Sequence, residues 1–153
     1  MILKRIKYVS RMSREMSDEE VAGLGRVSVI NNGRDGITGI LVEASGLFFQ
    51  VIEGEDSVVD ALYERILADE RHTEMLLLNV QRNVDRRLFP AWAMKTVRLG
   101  AHDDRTDVFK LLMETAVESH RRVEQLANGI ERFVWATVSA ESSETLDSTK
   151  ELG

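Results

Sequence analysis

The stretch that decides the fold is ITGILVEASGLFFQVIEG, residues Ile37–Gly54. Two apolar runs flank Ala44-Ser45-Gly46, so it reads as two strands joined by a tight turn. Side chains alternate across a strand with a period of two. In the second run Leu47, Phe49 and Val51 share one face, and Phe48, Gln50 and Ile52 share the other. Gln50 thus has apolar neighbours before and after it, whichever face is covered. A buried amide without partners costs roughly 1–3 kcal/mol, so Gln50 must find something to bond. Glu53 and Glu55 end the run and are expected to face solvent.

Helical patterns stand on both sides of this hairpin. Upstream, SDEEVAGLGRVSVINNGRDG carries Ser17 with Glu20 three residues on, a capping box, and should end near Asn32–Gly33. Downstream, EDSVVDALYERILADERH is amphipathic, with Val58, Val59, Leu62 and Ile66 on its apolar side. Lys4–Arg11 reads as a first strand, with Ile6 and Tyr8 facing one way and Arg5, Lys7 and Val9 the other. TEMLLLNVQ reads as a strand, RNVDRRLFP as a polar connection, and AWAMKTVRL as a last strand. The order β-α-β-β-α-β-β implies an α+β, ferredoxin-like βαββαββ sandwich. Both helices should cover one face of a mixed sheet and leave a cleft between them.

After residue 100 the character changes. The spacing in DDRTDVFKLLMETAVESHRRVEQLANGIERFV is helical, with a turn signal at Asn128-Gly129. Val123, Leu126, Ile130 and Phe133 stand three, four and three apart, as on a helix seam. The domain boundaries expected are 1–99 for the sandwich, 100–134 for C-terminal helices that dock on the sheet or pair with a second chain, and 135–153 for a polar tail expected to be disordered.

The 153 residues are 43% hydrophobic and 30% charged, with net charge −6. That balance suits a globular protein and disfavours a nucleic-acid or anionic-membrane surface. The absence of cysteine excludes disulfides, thiolate catalysis and cysteine-based zinc sites. No apolar run approaches a membrane span and the start lacks a signal-peptide core, so a cytoplasmic protein is expected. His72, His102 and His120 are not spaced as metal ligands. Gly23 and Gly25 fall inside a helix, where they make no dinucleotide fingerprint.

Several polar residues fall where they could serve a site. On the first helix Val21, Leu24, Ser28, Asn31 and Asn32 lie within an arc of about 100°. This stripe should face the sheet, although the asparagines could equally cap the helix. Arg65 and Asp69 flank the apolar stripe of the second helix, where an exposed ion pair would explain them as well. Arg71 and His72 suit the negative end of that helix. Trp92, Met94 and Thr96 share a face of the last strand, and Tyr8 could be core with one hydrogen bond. Carboxamides and a tyrosine converging on one cleft suit a flat heterocycle with acceptors and an imide.

At these residues the chain resembles the BLUF family of blue-light sensors that use flavin. The matching pieces stand in order through residues 1–99. They are KYVS with Tyr8, NNGRDGITGIL with Asn32 and Thr38-Gly39, LFFQVIEGE with Gln50, LYERILADERHT with Arg65 and Asp69, and RRLFPAWAMKT with Trp92 and Met94. The resemblance implies noncovalent FAD, with FMN or riboflavin as alternatives, held between the two helices. It implies that Gln50 bonds both the flavin and the Tyr8 hydroxyl, and that Asn32 and Asn31 meet the pyrimidine edge of the ring. Ile37 and Ile66 would pack on the ring faces, and Arg65 and Asp69 would lie along the ribityl and phosphate side. Ser28 and Arg71 complete the implied cofactor-binding set. Met94 or Trp92 would approach Gln50. Light would drive an electron from Tyr8 and a proton through Gln50, leaving Gln50 rearranged, and the change would pass through the last strand to the C-terminal helices. No catalysis and no metal are implied.

Residues 1 to about 126, including LLMETAVESHRRVEQL, also resemble the sensor and linker helices of bacterial photoactivated adenylate cyclases, in which the linker pairs two chains. A homodimer through the C-terminal helices and an unidentified downstream partner are therefore expected. The alternatives are a regulatory fragment of an adenylate cyclase and a small acylphosphatase-like enzyme that uses Arg65 to bind an anion. The second is motivated by topology alone.

Overall fold

In a computed structural model, residues 2–100 and 104–148 are described. Five strands and three helices follow in the order β1 (Leu3–Met12), α1 (Asp18–Asp35), β2 (Thr38–Ala44), β3 (Leu47–Glu55), α2 (Asp56–Leu67), β4 (His72–Val84), β5 (Lys95–Arg98) and α3 (Asp104–Ser148). The sheet order is β4-β1-β3-β2-β5. β1 is antiparallel to β3 and to β4, β2 is antiparallel to β3, and β5 runs parallel to β2. α1 and α2 therefore each join two parallel strands that have a third strand between them, the split βαβ arrangement expected from the element order.

Local chemistry accounts for the elements. The Ser17 hydroxyl accepts from the Glu20 amide at 3.2 Å, and the Glu20 carboxylate accepts from the Ser17 amide at 2.8 Å. This closes the capping box at the start of α1. The helix runs three residues beyond the expected Asn32, because Gly36 rather than Gly33 takes the left-handed conformation (φ 67°) and returns its amide to the Asn32 carbonyl. In the hairpin, Ser45 and Gly46 both have positive φ, 52° and 79°, which matches the twist that two-residue hairpin turns require. At Gly39 a Cβ would lie 2.0 Å from the Val51 carbonyl oxygen, so β2 approaches β3 there only because the side chain is missing.

The core lies between one sheet face and the two helices. Ile6, Tyr8, Leu41, Phe48 and Ile52 from the sheet pack with Val21 and Leu24 of α1 and with Val59, Leu62 and Ile66 of α2. Fully burying each large apolar side chain contributes about 1.5–3 kcal/mol. On the opposite face Val9 and Val51 are buried, and Phe49 meets Phe109 of α3 edge-on with ring centroids 6.3 Å apart.

Four expectations are corrected. Glu53 does not face solvent. It is buried opposite Arg5 in the β1–β3 register and accepts the Arg5 Nε–H at 2.7 Å. Strand alternation says nothing of a cation on the neighbouring strand. β4 is longer than TEMLLLNVQ, because pairing with the whole of β1, through bulges, carries it to Val84. β5 begins only at Lys95. Residues Trp92 to Met94 belong to the connection, where side chains take up part of the backbone bonding. Two helices were expected after residue 100, and the described residues from 104 onward form one. α3 is one helix through Ser148, crossing Asn128-Gly129. One helical glycine costs only ~1 kcal/mol, and pairs such as Arg122–Glu118 and His120–Glu124 support the turns before it. The expected extension and tail also include residues 101–103 and 149–153, which lie outside the described residues. By its contacts the chain divides into two units between Ala116 and Val117.

Candidate functional site

A cleft of about 190 Å³ opens between α1 and α2. Its floor is the sheet, through Tyr8, Leu41 and Gln50. The α1 wall carries Ser28, Asn31 and Asn32, so the stripe expected on that helix does face the sheet. The α2 wall carries Ile66 and Arg65, and beyond it stand Asp69, Arg71 and His72. Ligand pockets are commonly ~300–1,000 Å³, so seating a three-ring heterocycle requires the two helix walls to part.

Gln50 finds its partners here. The strands β1 and β3 place Tyr8 directly opposite Gln50, and the Tyr8 hydroxyl donates to Gln50 Oε1. Gln50 Nε2 points at Met94 Sδ at 3.6 Å. A thioether is a weak acceptor, so the amide keeps donor capacity on the side that lines the cleft. Tyr8 is fully buried, with the Tyr63 ring 5.7 Å away and the His72 ring 6.4 Å away. Burial, reinforced by Tyr63 and the Asp69 carboxylate, pushes the Tyr8 phenol far up. Tyr8 therefore holds its proton at neutral pH and acts as the donor in this pair.

Asn32 is buried and donates from Nδ2 to the Ala93 carbonyl at 3.0 Å. Its amide oxygen is thereby oriented by the β4–β5 connection. Arg71 Nε donates to both Asp69 oxygens at 2.9 and 3.0 Å, and this pairing brings the Asp69 carboxyl down to about 2. Arg65 is 57% exposed, and its contact with Asp35 is long, at 3.8 Å. An exposed pair of that length contributes little and leaves the guanidinium open to an anion.

Ile37 and Trp92 stand away from the cleft, and of the pair Met94 and Trp92 it is Met94 that approaches Gln50. Ile37 is buried in the core and does not line the cleft. Met94 is buried and is the residue that meets Gln50. Trp92 is 42% exposed and stacks on Phe89 at 5.9 Å. The two were expected on one face of a strand, and their separation follows from the irregular backbone before Lys95.

Sequence reasoning missed His72 and Tyr63. The His72 Nδ1 bonds the Ser10 hydroxyl at 2.8 Å, and burial pushes its imidazole down, towards the neutral form. Its position at a helix end gave a sufficient local account, and only the β1–β4 pairing brings it to Tyr8. Tyr63 follows Leu62 on the helix face, a signal that was available.

The donor set fits a flavin. The pyrimidine edge of the ring alternates carbonyl, imide N–H and carbonyl, and carboxamides such as Asn31, Asn32 and Gln50 offer both a donor and an acceptor to it. Apolar Leu24, Leu62 and Ile66 suit the ring faces, and Arg65 at the mouth suits a phosphate.

The comparisons agree with this geometry. Residues 3–95 match the family BLUF, described as sensors of blue-light using FAD. The beta subunit of photoactivated adenylate cyclase from Euglena gracilis is 36% identical over 95 residues, 61% of this chain and 11% of that protein. The structure of a bacterial light-regulated adenylyl cyclase superposes with a TM-score of 0.70 at 44% identity, covering 80% of this chain and 36% of the other. The dark-state structure of BlrB, a BLUF protein, superposes with a TM-score of 0.59 at 36% identity, covering 63% and 72%. The fold is that of a flavin-based light sensor. This chain belongs to the BLUF family of blue-light photoreceptors.

The chain spans about a tenth of the length of the curated cyclase relatives it matches. No helix among the described residues is long and apolar enough to cross a membrane.

Proposed function

We propose that the cleft between α1 and α2 holds FAD and that light is registered as a rearrangement of the Gln50 amide. The observation that carries this reading is the buried chain Tyr8–Gln50–Met94, whose first two members form part of the cleft floor. When bound, the flavin supplies blue-light absorption and an electron acceptor. Tyr8 gives up an electron, and its phenolic proton moves along the existing bond to the Gln50 carbonyl. Once both the electron and the proton have returned to Tyr8, the phenol would face a Gln50 amide whose donor and acceptor ends have exchanged or whose tautomer has changed. Asn32 and Asn31 hold the pyrimidine edge, and Ser28 lies beside them on α1. Ile66 packs on the ring. The ribityl and phosphate side falls to Arg65, Asp69 and Arg71. The Arg65 guanidinium at the mouth, in only a long contact with Asp35, favours a phosphate-bearing flavin, FAD or FMN, over riboflavin.

The chain acts as a cytoplasmic signalling module and performs no catalysis itself. Its output runs from Met94 through β5 to α3. Thr106 Oγ1 at the start of α3 bonds the Gly100 carbonyl just after β5, at 2.7 Å, which supports that route. The apolar seam of α3 pairs two copies, and the signal passes to a separate protein. The test is an absorption spectrum of the purified protein before and after a blue flash. A flavin band that shifts red and returns in the dark is the expected outcome. A colourless protein that takes up no FAD would overturn the reading.

A second reading is favoured by the match to the bacterial light-regulated cyclase, which covers 80% of this chain. In it the chain is the regulatory part of an adenylyl cyclase. A cyclase catalytic domain joined after α3 would then become light-dependent.

A further inference from the structure

The connection between β4 and β5 is tied to the rest of the domain at two places, each of which includes a side chain of β3. The first tie is charged and buried. The Glu53 carboxylate, 1% exposed, accepts the Leu88 amide at 2.9 Å, the Phe89 amide at 2.9 Å and Arg5 Nε at 2.7 Å. Arg5 reaches on to the Arg86 carbonyl at 2.9 Å. From the connection itself, Arg87 donates to the Glu53 carbonyl, the Thr38 hydroxyl and the Gly36 carbonyl at 2.8 to 2.9 Å. The second tie is neutral and weak. It consists of Gln50 Nε2 on Met94 Sδ at 3.6 Å, Asn32 Nδ2 on the Ala93 carbonyl and the Gly39 amide on the Trp92 carbonyl, both at 3.0 Å.

Gln50 and Glu53, one from each tie, are three residues apart on β3, so these two contacts are referred to the same strand. Charge-assisted bonds are roughly twice as strong as neutral ones. A thioether contact is weaker still. If the Gln50 amide exchanges its ends, Oε1 replaces Nε2 against Met94 Sδ. Two acceptors then face each other, and Met94 has to move. The segment can yield only at its weak end.

We propose that Glu53 is a positioning residue for the light response: its carboxylate clamps Leu88 and Phe89 so that a rearrangement of Gln50 displaces Met94 and the start of β5. The proposal rests on the Gln50 switch described above. The clamp also works as a spring. It resists the displaced state and speeds the return.

The test uses the full chain loaded with FAD, with Glu53→Gln and with Arg87→Ala, which removes the three Arg87 bonds of the same tie while leaving the buried carboxylate in place. Dark recovery of the red-shifted band is expected to slow by about threefold or more in both variants, the scale of one hydrogen bond lost. The size of the shift should stay that of the parent, because neither residue lines the cleft. Hydrogen exchange gives a second readout. In the parent the Leu88 and Phe89 amides should stay protected under light while residues 92–97 exchange faster. In Glu53→Gln, Leu88 and Phe89 should lose protection in the dark, with or without flavin. Unchanged recovery in both variants would overturn the clamp, as would light-induced exchange at Leu88 and Phe89 in the parent equal to that at 92–97. If Glu53→Gln does not fold, Arg87→Ala decides by the same recovery criterion. A parent without any red shift would overturn the Gln50 switch itself, which is a different failure.

Discussion

At the scale of single residues, the site depends on a donor that keeps its proton. Tyr8 is buried where its phenolate is strongly disfavoured, so it donates to Gln50 and leaves the amide nitrogen for a weak sulfur partner. Tyr8→Phe removes that donor without opening the cleft. Flavin should still bind, and the red shift should be lost completely in a light-minus-dark difference spectrum. A Phe variant that shifts like the parent would show that Tyr8 is not the donor. Asp69 makes a pH prediction. Arg71 holds its carboxyl at about 2, below the usual 3.8. A carboxyl depressed on folding contributes stability that is present above its unfolded value and lost as pH falls towards its folded value. Stability should therefore drop between about pH 4 and pH 2, and Asp69→Asn should flatten that part of the profile in urea titrations.

At the scale of elements, the hairpin and the helix end set the position of Gln50. A Cβ at Gly39 would collide with the Val51 carbonyl at 2.0 Å, and backbone cannot step aside as a flexible side chain can. Gly39→Ala should cost about 2–4 kcal/mol in urea unfolding. Gly36 closes α1 in the left-handed region with open space around its Cα. Gly36→Ala should cost only about 1 kcal/mol. Equal costs would mean that φ at Gly36, rather than close approach at Gly39, limits the hairpin. The capping box at Ser17, the turn at Ser45-Gly46 and the apolar stripe of α2 were all legible locally, because each is formed by residues within four positions of one another. The ends of β4 and β5 were not, since they depend on what β1 and Asn32 offer from far along the chain.

At the scale of the whole molecule, the net charge of −6 and the long α3 set what the chain can meet. In the second unit Val123, Leu126, Ile130 and Phe133 are each 63–73% exposed. Such a row at three-four spacing is a seam for a second helix. Leu126→Glu with Ile130→Glu should convert a dimer to a monomer in sedimentation velocity while leaving the light-induced shift unchanged. Retention of the dimer would move the interface off this seam.

The order of elements, the helix caps, the hairpin and the polar stripe of α1 follow from short-range spacing, and so they could be read along the chain. The family motifs rest on the same runs. The identity of Gln50's partners, the burial of Glu53 against Arg5, the approach of His72 to Tyr8 and the parting of Met94 from Trp92 arise only when distant strands pair. Register brings Tyr8 opposite Gln50 and Arg5 opposite Glu53. No local pattern encodes register, because it is chosen by the packing of the sheet as a whole.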